Sequence, residues 1–207
     1  MSLKVPEDVI RSRVESFTAD IDKVPTRFNI LEIQGATVIV DYGHNADALA
    51  ALIPVIDQFP HQRRTCVYTT PGDRRDCDMV RQGELLGNAF DRVVLYEYRD
   101  RRGRADGEIF HHFRIGLAKS KRVTQVDEVR GADEAAEFAL RRAEPGELIL
   151  LQSYTVDETV SFLRQYVESI APEPALDDSL VAAPAPPVVV EKPAEVVQAA
   201  ATAIEKF

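Results

Sequence analysis

From residue 28 to residue 170 the chain alternates short β-branched runs with longer amphipathic stretches, and this alternation restricts its fold more than any other feature. Strand patterns fall at 28–33, 37–41, 65–69, 92–96, 122–126 and 147–152, with helical patterns at 46–58, 78–89, 107–118, 132–143 and 156–170. Strand and helix in succession at this spacing imply right-handed crossovers, hence parallel strands with helices on both faces. Gln34-Gly35 is the exception, suiting a tight hairpin turn between the first two runs. The expectation is an α/β fold: a Rossmann-like three-layer sandwich with a mostly parallel sheet of about six strands. The N-terminal hairpin supplies one antiparallel edge strand. Pro54 predicts a kink or early stop in its helix, and residues 7–20 suit a short preceding helix.

The sharpest change of character lies within residues 38–52. Val38-Ile39-Val40 is β-branched throughout, as a strand covered on both faces tends to be, and Asp41, His44 and Asn45 cluster where it gives way to a helix. In open α/β sheets ligands sit at such strand ends, where helix N-termini offer free N–H donors. Asn45 also suits a helix N-cap, with Asp47 favourable in the first turn, and a capped turn needs only one of these groups. Parallel strands would bring two further loops to the same edge. Thr70-Pro71-Gly72-Asp73-Arg74-Arg75-Asp76 follows one strand pattern, and the stretch 99–108 follows the next with four arginines within 99–104. Pro-Gly-Asp is a turn signal, so each loop reads equally as a solvated turn or as a site for a zwitterion or an oxyanion.

Other candidates are weaker. His111 and His112 are adjacent, so on a helix they diverge by about 100° and cannot share one ion. Ser153 lacks a Gly-x-Ser-x-Gly elbow, while Tyr42 and Tyr154 suit either stacking on a ligand or packing under a loop. No metal ligands are assigned. The chain has neither a Gly-x-x-x-x-Gly-Lys-Ser/Thr stretch nor a helix opened by Gly-x-Gly-x-x-Gly, which argues against a self-sufficient nucleotide-using enzyme.

With 207 residues, 45% of them hydrophobic, the chain can hold one good-sized core plus an appendage. A net charge of −9 argues against non-specific nucleic-acid binding. No apolar run is long enough to span a bilayer, and the opening residues lack a signal-peptide core. Cys66 and Cys77 show no metal or redox spacing, so a cytoplasmic setting with no membrane and no nucleic-acid partner is expected. Residues 171–207 hold half of the twelve prolines, no glycine and one aromatic residue. They read as a mostly disordered Pro/Ala-rich tail with a marginal helical pattern at 193–206.

Several of these motifs resemble the C-terminal domain of the Mur ligase superfamily, most closely that of cyanophycin synthetase. Asp41-Tyr42-Gly43-His44-Asn45-Ala46 matches Asp-Tyr-(Ala/Gly)-His-Asn-Pro, and Pro25-Thr26-Arg27 matches a Pro-Gly-Arg linker. The Pro-Gly-Asp-Arg-Arg-Asp loop at 71–76 and Arg-Gly-Arg…Gly-Glu at 102–108 point to the cyanophycin branch. The likeness runs from about residue 14 to 167. Thr26 replaces the linker glycine and Ala46 the motif proline.

The resemblance implies ATP-dependent amide formation through an acyl phosphate, joining arginine to a poly-aspartate backbone in the cyanophycin case. ATP with Mg2+ would be bound mainly by a central P-loop domain absent from this chain, over which the C-terminal domain closes. Arg27 would approach the nucleotide phosphates, with Asp41, His44 and Asn45 along its ribose and phosphate side. The substrate-facing set would be Asp73, Arg74, Arg75, Asp76, Arg102, Arg104 and Glu108. Within it Asp73, Asp76 or Glu108 would take a guanidinium, and Arg102 and Arg104 a polyanion. No residue of the chain alone would be catalytic. The implied partners are ATP-grasp and Mur central domains, on the same enzyme or another chain, together with an amino-acid or polypeptide substrate; a homo-oligomer is compatible. Residues 1–27 would be a linker and the end of a preceding domain, 28–170 the α/β domain and 171–207 the tail of a portion of a larger enzyme. The alternative is a free-standing, non-catalytic binding protein for arginine-containing or acidic polymers.

Overall fold

Strand β6 (Glu147–Gln152) is buried along its whole length, and the sheet is built around it. The computed structural model describes residues 5–18 and 20–171; the helical pattern at 193–206 lies outside them. The other strands are β1 (Asn29–Ile33), β2 (Ala36–Asp41), β3 (Arg63–Tyr68), β4 (Arg92–Glu97) and β5 (Gln125–Arg130). Their order is β1-β2-β6-β3-β4-β5. The hairpin pair β1 and β2 is antiparallel, and every other neighbouring pair is parallel, as expected. Register places Ile39 beside Leu150, Leu150 beside Cys66, and Cys66 beside Val93.

Alternation along the strands splits the core into two layers. Ile39, Cys66, Tyr68, Val93, Leu95, Leu148 and Leu150 face α2 (Ala46–Ile56), α3 (Asp76–Ala89) and α4 (Glu108–Leu117). Val38, Val40, Val67, Val94, Tyr96, Ile149 and Leu151 face α5 (Ala132–Leu140) and α6 (Val156–Ile170). Handedness explains the division. The crossovers β2→β3, β3→β4 and β4→β5 progress one way across the sheet, whereas β5→β6 returns, so helices of one hand must change face. Helix α1 (Glu7–Glu15) precedes the sheet and buries none of its residues.

Several boundaries differ from the sequence reading, among them α5, which ends at Leu140 rather than 143. Strand β5 begins at Gln125 rather than 122, because ladder pairing with β4 and the Arg92–Asp127 ion pair (3.1 Å) decide its register. Its Val123 instead packs on the core from the preceding loop. Helix α2 passes through Pro54 and ends at Ile56, so proline shortens it without breaking it earlier. Helix α1 stops at Glu15 instead of reaching residue 20.

Helices α3 and α4 approach through glycine. A Cβ on Gly116 would collide with the Val80 carbonyl and lie 2.7 Å from the Glu84 nitrogen, and one on Gly83 would meet the Phe113 carbonyl. Gly116→Ala is therefore expected to destabilise the chain by about 3 kcal/mol in urea denaturation, through overpacking of backbone against backbone.

Candidate functional site

The C-terminal ends of β2, β6, β3 and β4 carry the loops in which the informative residues lie. Asp41 closes β2, and its carboxylate accepts two backbone N–H bonds, from Gly43 (2.7 Å) and from Phe28 (3.1 Å). Its own carbonyl accepts the Ser153 N–H at 2.8 Å, which ties the loop after β2 to the loop after β6. Asp41 is thus an organiser of backbone. Asn45 acts as the N-cap of α2, accepting the Ala48 N–H at 2.8 Å.

His44 is different. Its Nδ1 lies 3.0 Å from the Tyr42 carbonyl, which can only accept, so Nδ1 carries the proton and Nε2 presents a lone pair. The Arg74 guanidinium donates to that Nε2 at 3.2 Å. The Tyr42 ring stands edge-on to His44 at 5.1 Å, and the Arg27 guanidinium lies 4.8 Å from the Tyr42 ring centre. Arg27, Tyr42, His44 and Arg74 therefore form one continuous surface drawn from three separate segments. Thr70 donates to the His44 carbonyl at 3.2 Å and fixes the loop beneath it.

The two arginine-rich loops are stapled together by Arg104. Its guanidinium donates to the Gly72 carbonyl (2.8 Å) and the Arg74 carbonyl (2.7 Å), and pairs with Asp76 (2.7 Å) and Glu108 (2.6 Å). Gly72 is obligatory at this crossing, since a Cβ would run into the Arg101 carbonyl. Arg104 faces inward, and its donors meet two carbonyls and two carboxylates of the protein itself. Arg102 adopts a left-handed backbone (φ 48°) and pairs with Asp73 at 2.7 Å. Arg75 forks onto Asp78 at 2.8 and 2.9 Å. These cations hold the carboxyls of Asp73, Asp76, Asp78 and Glu108 below their ordinary range: Arg102 acts on the first, Arg104 on Asp76 and Glu108, and Arg75 on Asp78.

Of the parts that anchor these loops, Tyr154 stood out in the sequence and packs as one of its two readings had it, whereas Tyr98, Glu97, Arg130 and Glu158 did not. Tyr98 stacks on Tyr154 with ring centres 4.4 Å apart, and its hydroxyl donates to Glu158 at 2.7 Å. Burial pushes the Tyr154 hydroxyl up, against the pull of Arg102. Glu97, buried at the end of β4, accepts the Gly107 N–H at 3.1 Å and pairs with Arg130, which also bonds Asp106. Ending the fifth strand at 126 hid Arg130; a strand carried to 130 would have placed it beside Glu97. Among the described residues no group of three or more histidine, cysteine or carboxylate side chains could hold a metal ion. No helix there is long and apolar enough to cross a membrane. A separate groove of about 490 Å³ runs between Ile21, Asp22 and Pro25 and the outer face of α6, away from these loops.

A family model described as Mur ligase, glutamate ligase domain, matches residues 26–154. The cyanophycin synthetase of Crocosphaera subtropica is 29% identical over 156 residues, which are 75% of this chain and 18% of that protein. The UDP-N-acetylmuramoyl-L-alanyl-D-glutamate–2,6-diaminopimelate ligase of Alkaliphilus metalliredigens is 28% identical over 188 residues, covering 86% and 37% respectively. The chain thus spans less than a fifth of the one relative and little more than a third of the other. Among solved structures, E. coli FolC in complex with ADP superposes with a TM-score of 0.60 at 20% identity, over 81% of this chain and 37% of that one. That likeness, and an equal score against a diaminopimelate ligase at 18% identity, establish the shared fold.

The depressed carboxyls fix a pH response. A folded-state pKa below the unfolded value stabilises at pH above the unfolded value, and the gain is lost as pH falls through the folded one. The ordinary values are 3.8 for Asp73 and Asp76 and 4.5 for Glu108. The pairing of the Arg104 guanidinium with Asp76 and Glu108, followed by NMR of its side chain, should therefore be unchanged between about pH 7 and pH 5 and weaken only below the ordinary values of 3.8 and 4.5.

Proposed function

This chain belongs to the Mur ligase family through its glutamate ligase domain, the C-terminal domain of ATP-dependent ligases, and from that membership we propose that it supplies the nucleotide-facing wall of an amide-forming ligase of the cyanophycin synthetase type. One observation carries the reading. Among the described residues of the strand-end loops, Arg75, Arg99, Arg101, Arg102 and Arg104 are each paired with a carboxylate. Arg27 and Arg74 instead meet an aromatic ring and a neutral imidazole, and both lie on the Tyr42–His44 surface. Two guanidiniums with donors left over, at the ends of parallel strands, suit a polyphosphate.

On this reading Arg27 and Arg74 take the ATP phosphates and neutral His44 keeps Arg74 aimed by accepting one of its N–H groups. Asp41 and Asn45 act indirectly, by holding the loop and capping α2. The paired loop residues Asp73, Asp76, Arg102 and Glu108 border the place where an incoming amino acid or polymer would lie, with Arg75 at the rim. ATP supplies the phosphoryl group that activates a carboxylate, and we assign no magnesium ligand to this chain. The phosphate-cradling P-loop, absent from the sequence, belongs to a partner domain, with residues 28–170 as the domain that closes against it. Closure would orient the reactants and keep water from a labile acyl phosphate.

The decisive experiment joins the chain to a P-loop-bearing central domain and follows ADP release together with amide formation. Arg74→Ala is expected to lower kcat/KM by about 100-fold and His44→Ala by about 10-fold, magnitudes usual for charge-stabilising groups. Unchanged activity in both variants would remove the site assignment. Binding of an acidic or arginine-containing polymer by the chain alone, with no activity in the joined enzyme, would favour the non-catalytic binding protein.

A further inference from the structure

The segment that delivers Arg27 is held in an unfavourable backbone conformation. Thr26 and Phe28 both have left-handed backbones, with φ of 55° and 51°. That region disfavours any side chain with a Cβ, and a β-branched residue such as threonine most of all. Thr26 is also fully buried, and its hydroxyl finds no hydrogen-bond partner among the described residues. One residue thus combines two unfavourable features, left-handed backbone and an unsatisfied buried hydroxyl. Glycine would remove both.

Such a conformation persists only where its surroundings impose it, and the imposing contacts are visible. The Phe28 N–H is bonded to the Asp41 carboxylate at 3.1 Å. The Phe28 ring packs on the core layer beneath α2, 6.0 Å from Phe59. One residue further on, the Asn29 side chain donates to the Val24 carbonyl at 3.0 Å and closes the turn from outside. Arg27 alone of the three is exposed, and its guanidinium lies over Tyr42. Asp41 binds Phe28 with one oxygen and Gly43 with the other, so a single carboxylate sets the strap and the Tyr42–His44 loop in register.

We propose that residues 26–28 are a strained positioning strap: Thr26 and Phe28 are positioning residues, whose left-handed backbones hold the Arg27 guanidinium on the Tyr42 face. The role in phosphate binding rests on the function proposed above; the strap itself does not. Its placement of Arg27 should follow the backbone at residue 26, surviving glycine and failing with proline, which a merely structural turn would not show.

The test compares Thr26→Gly, Thr26→Pro, Thr26→Val and Asp41→Asn with the wild-type chain by thermal unfolding and by NMR of the Arg27 side chain. A guanidinium stem lying over an aromatic ring has upfield-shifted δ-methylene protons. In wild type and in Thr26→Val, which keeps the branched shape but drops the hydroxyl, the shift should be present. Thr26→Gly should raise the melting temperature and keep the shift, because glycine takes the same backbone without strain, whereas Thr26→Pro, which cannot adopt a φ of 55°, should move the Arg27 resonances at least halfway to their random-coil positions. Asp41→Asn should lose the shift and lower the melting temperature. Retention of the full shift in Thr26→Pro, or a lowered melting temperature in Thr26→Gly, would overturn the proposal. In the joined enzyme, Thr26→Pro should raise the KM for ATP several-fold. Failure of that arm alone, with the NMR result as expected, would count against the nucleotide role and leave the strap standing.

Discussion

Inserting β6 between β2 and β3 is the constraint on which the rest of this molecule depends. Because β6 is reached by a crossover that runs back across the sheet, its flanking helices lie on the face opposite α2, α3 and α4. At the strand ends the chain then leaves β2 and β3 toward one face and β6 toward the other. Neighbouring loops diverge, and the crevice between them is where polar groups can gather without being covered by a helix. Apolar burial drives the insertion: all of Leu148, Ile149, Leu150 and Leu151 are removed from water. At about 1.5–3 kcal/mol for each fully buried large side chain, this strand contributes more than any ion pair at the rim.

The polar groups at the crevice then divide by what they can spend outward. A carboxylate that accepts two backbone N–H bonds, as Asp41 does, is committed to architecture. So is a guanidinium whose donors meet two carbonyls and two carboxylates, as with Arg104. Local charge density therefore overstates the positive charge these loops present outward. The arginine-rich stretch is nearly neutral once its pairs are counted, and the unspent positive charge sits on Arg27 and Arg74.

Much of the fold was legible in the amino-acid pattern, and the exceptions share a cause. Strands β4 and β6 are continuous apolar runs and declare themselves, and Asn45 announces a cap. Strand β5 is an edge strand with Asp127, Glu128 and Arg130 in it, so its limits follow from pairing with β4 rather than from any apolar run of its own. In the candidate site, residue types at strand ends pointed to loops that the structure brings together at one edge of the sheet. Their roles were not readable, because hydrogen bonds from Arg104 to backbone carbonyls leave no trace in side-chain chemistry. The left-handed backbone at Thr26 is the reverse case: threonine where glycine is favoured is visible in the sequence, but the contacts that enforce it are not.

The glycine contact between α3 and α4 has a mechanical consequence. Backbone meets backbone there, with no side-chain cushion to be redistributed, and Arg104 clamps the loops at the near ends of both helices. The helix pair and its charged loops then behave as a single stiff plate, whereas residues 26–28 approach the crevice along one thin strand of chain. That segment is in turn pinned by the Asp41 carboxylate and the Asn29 side chain, so both borders of the crevice are held by contacts the chain supplies itself.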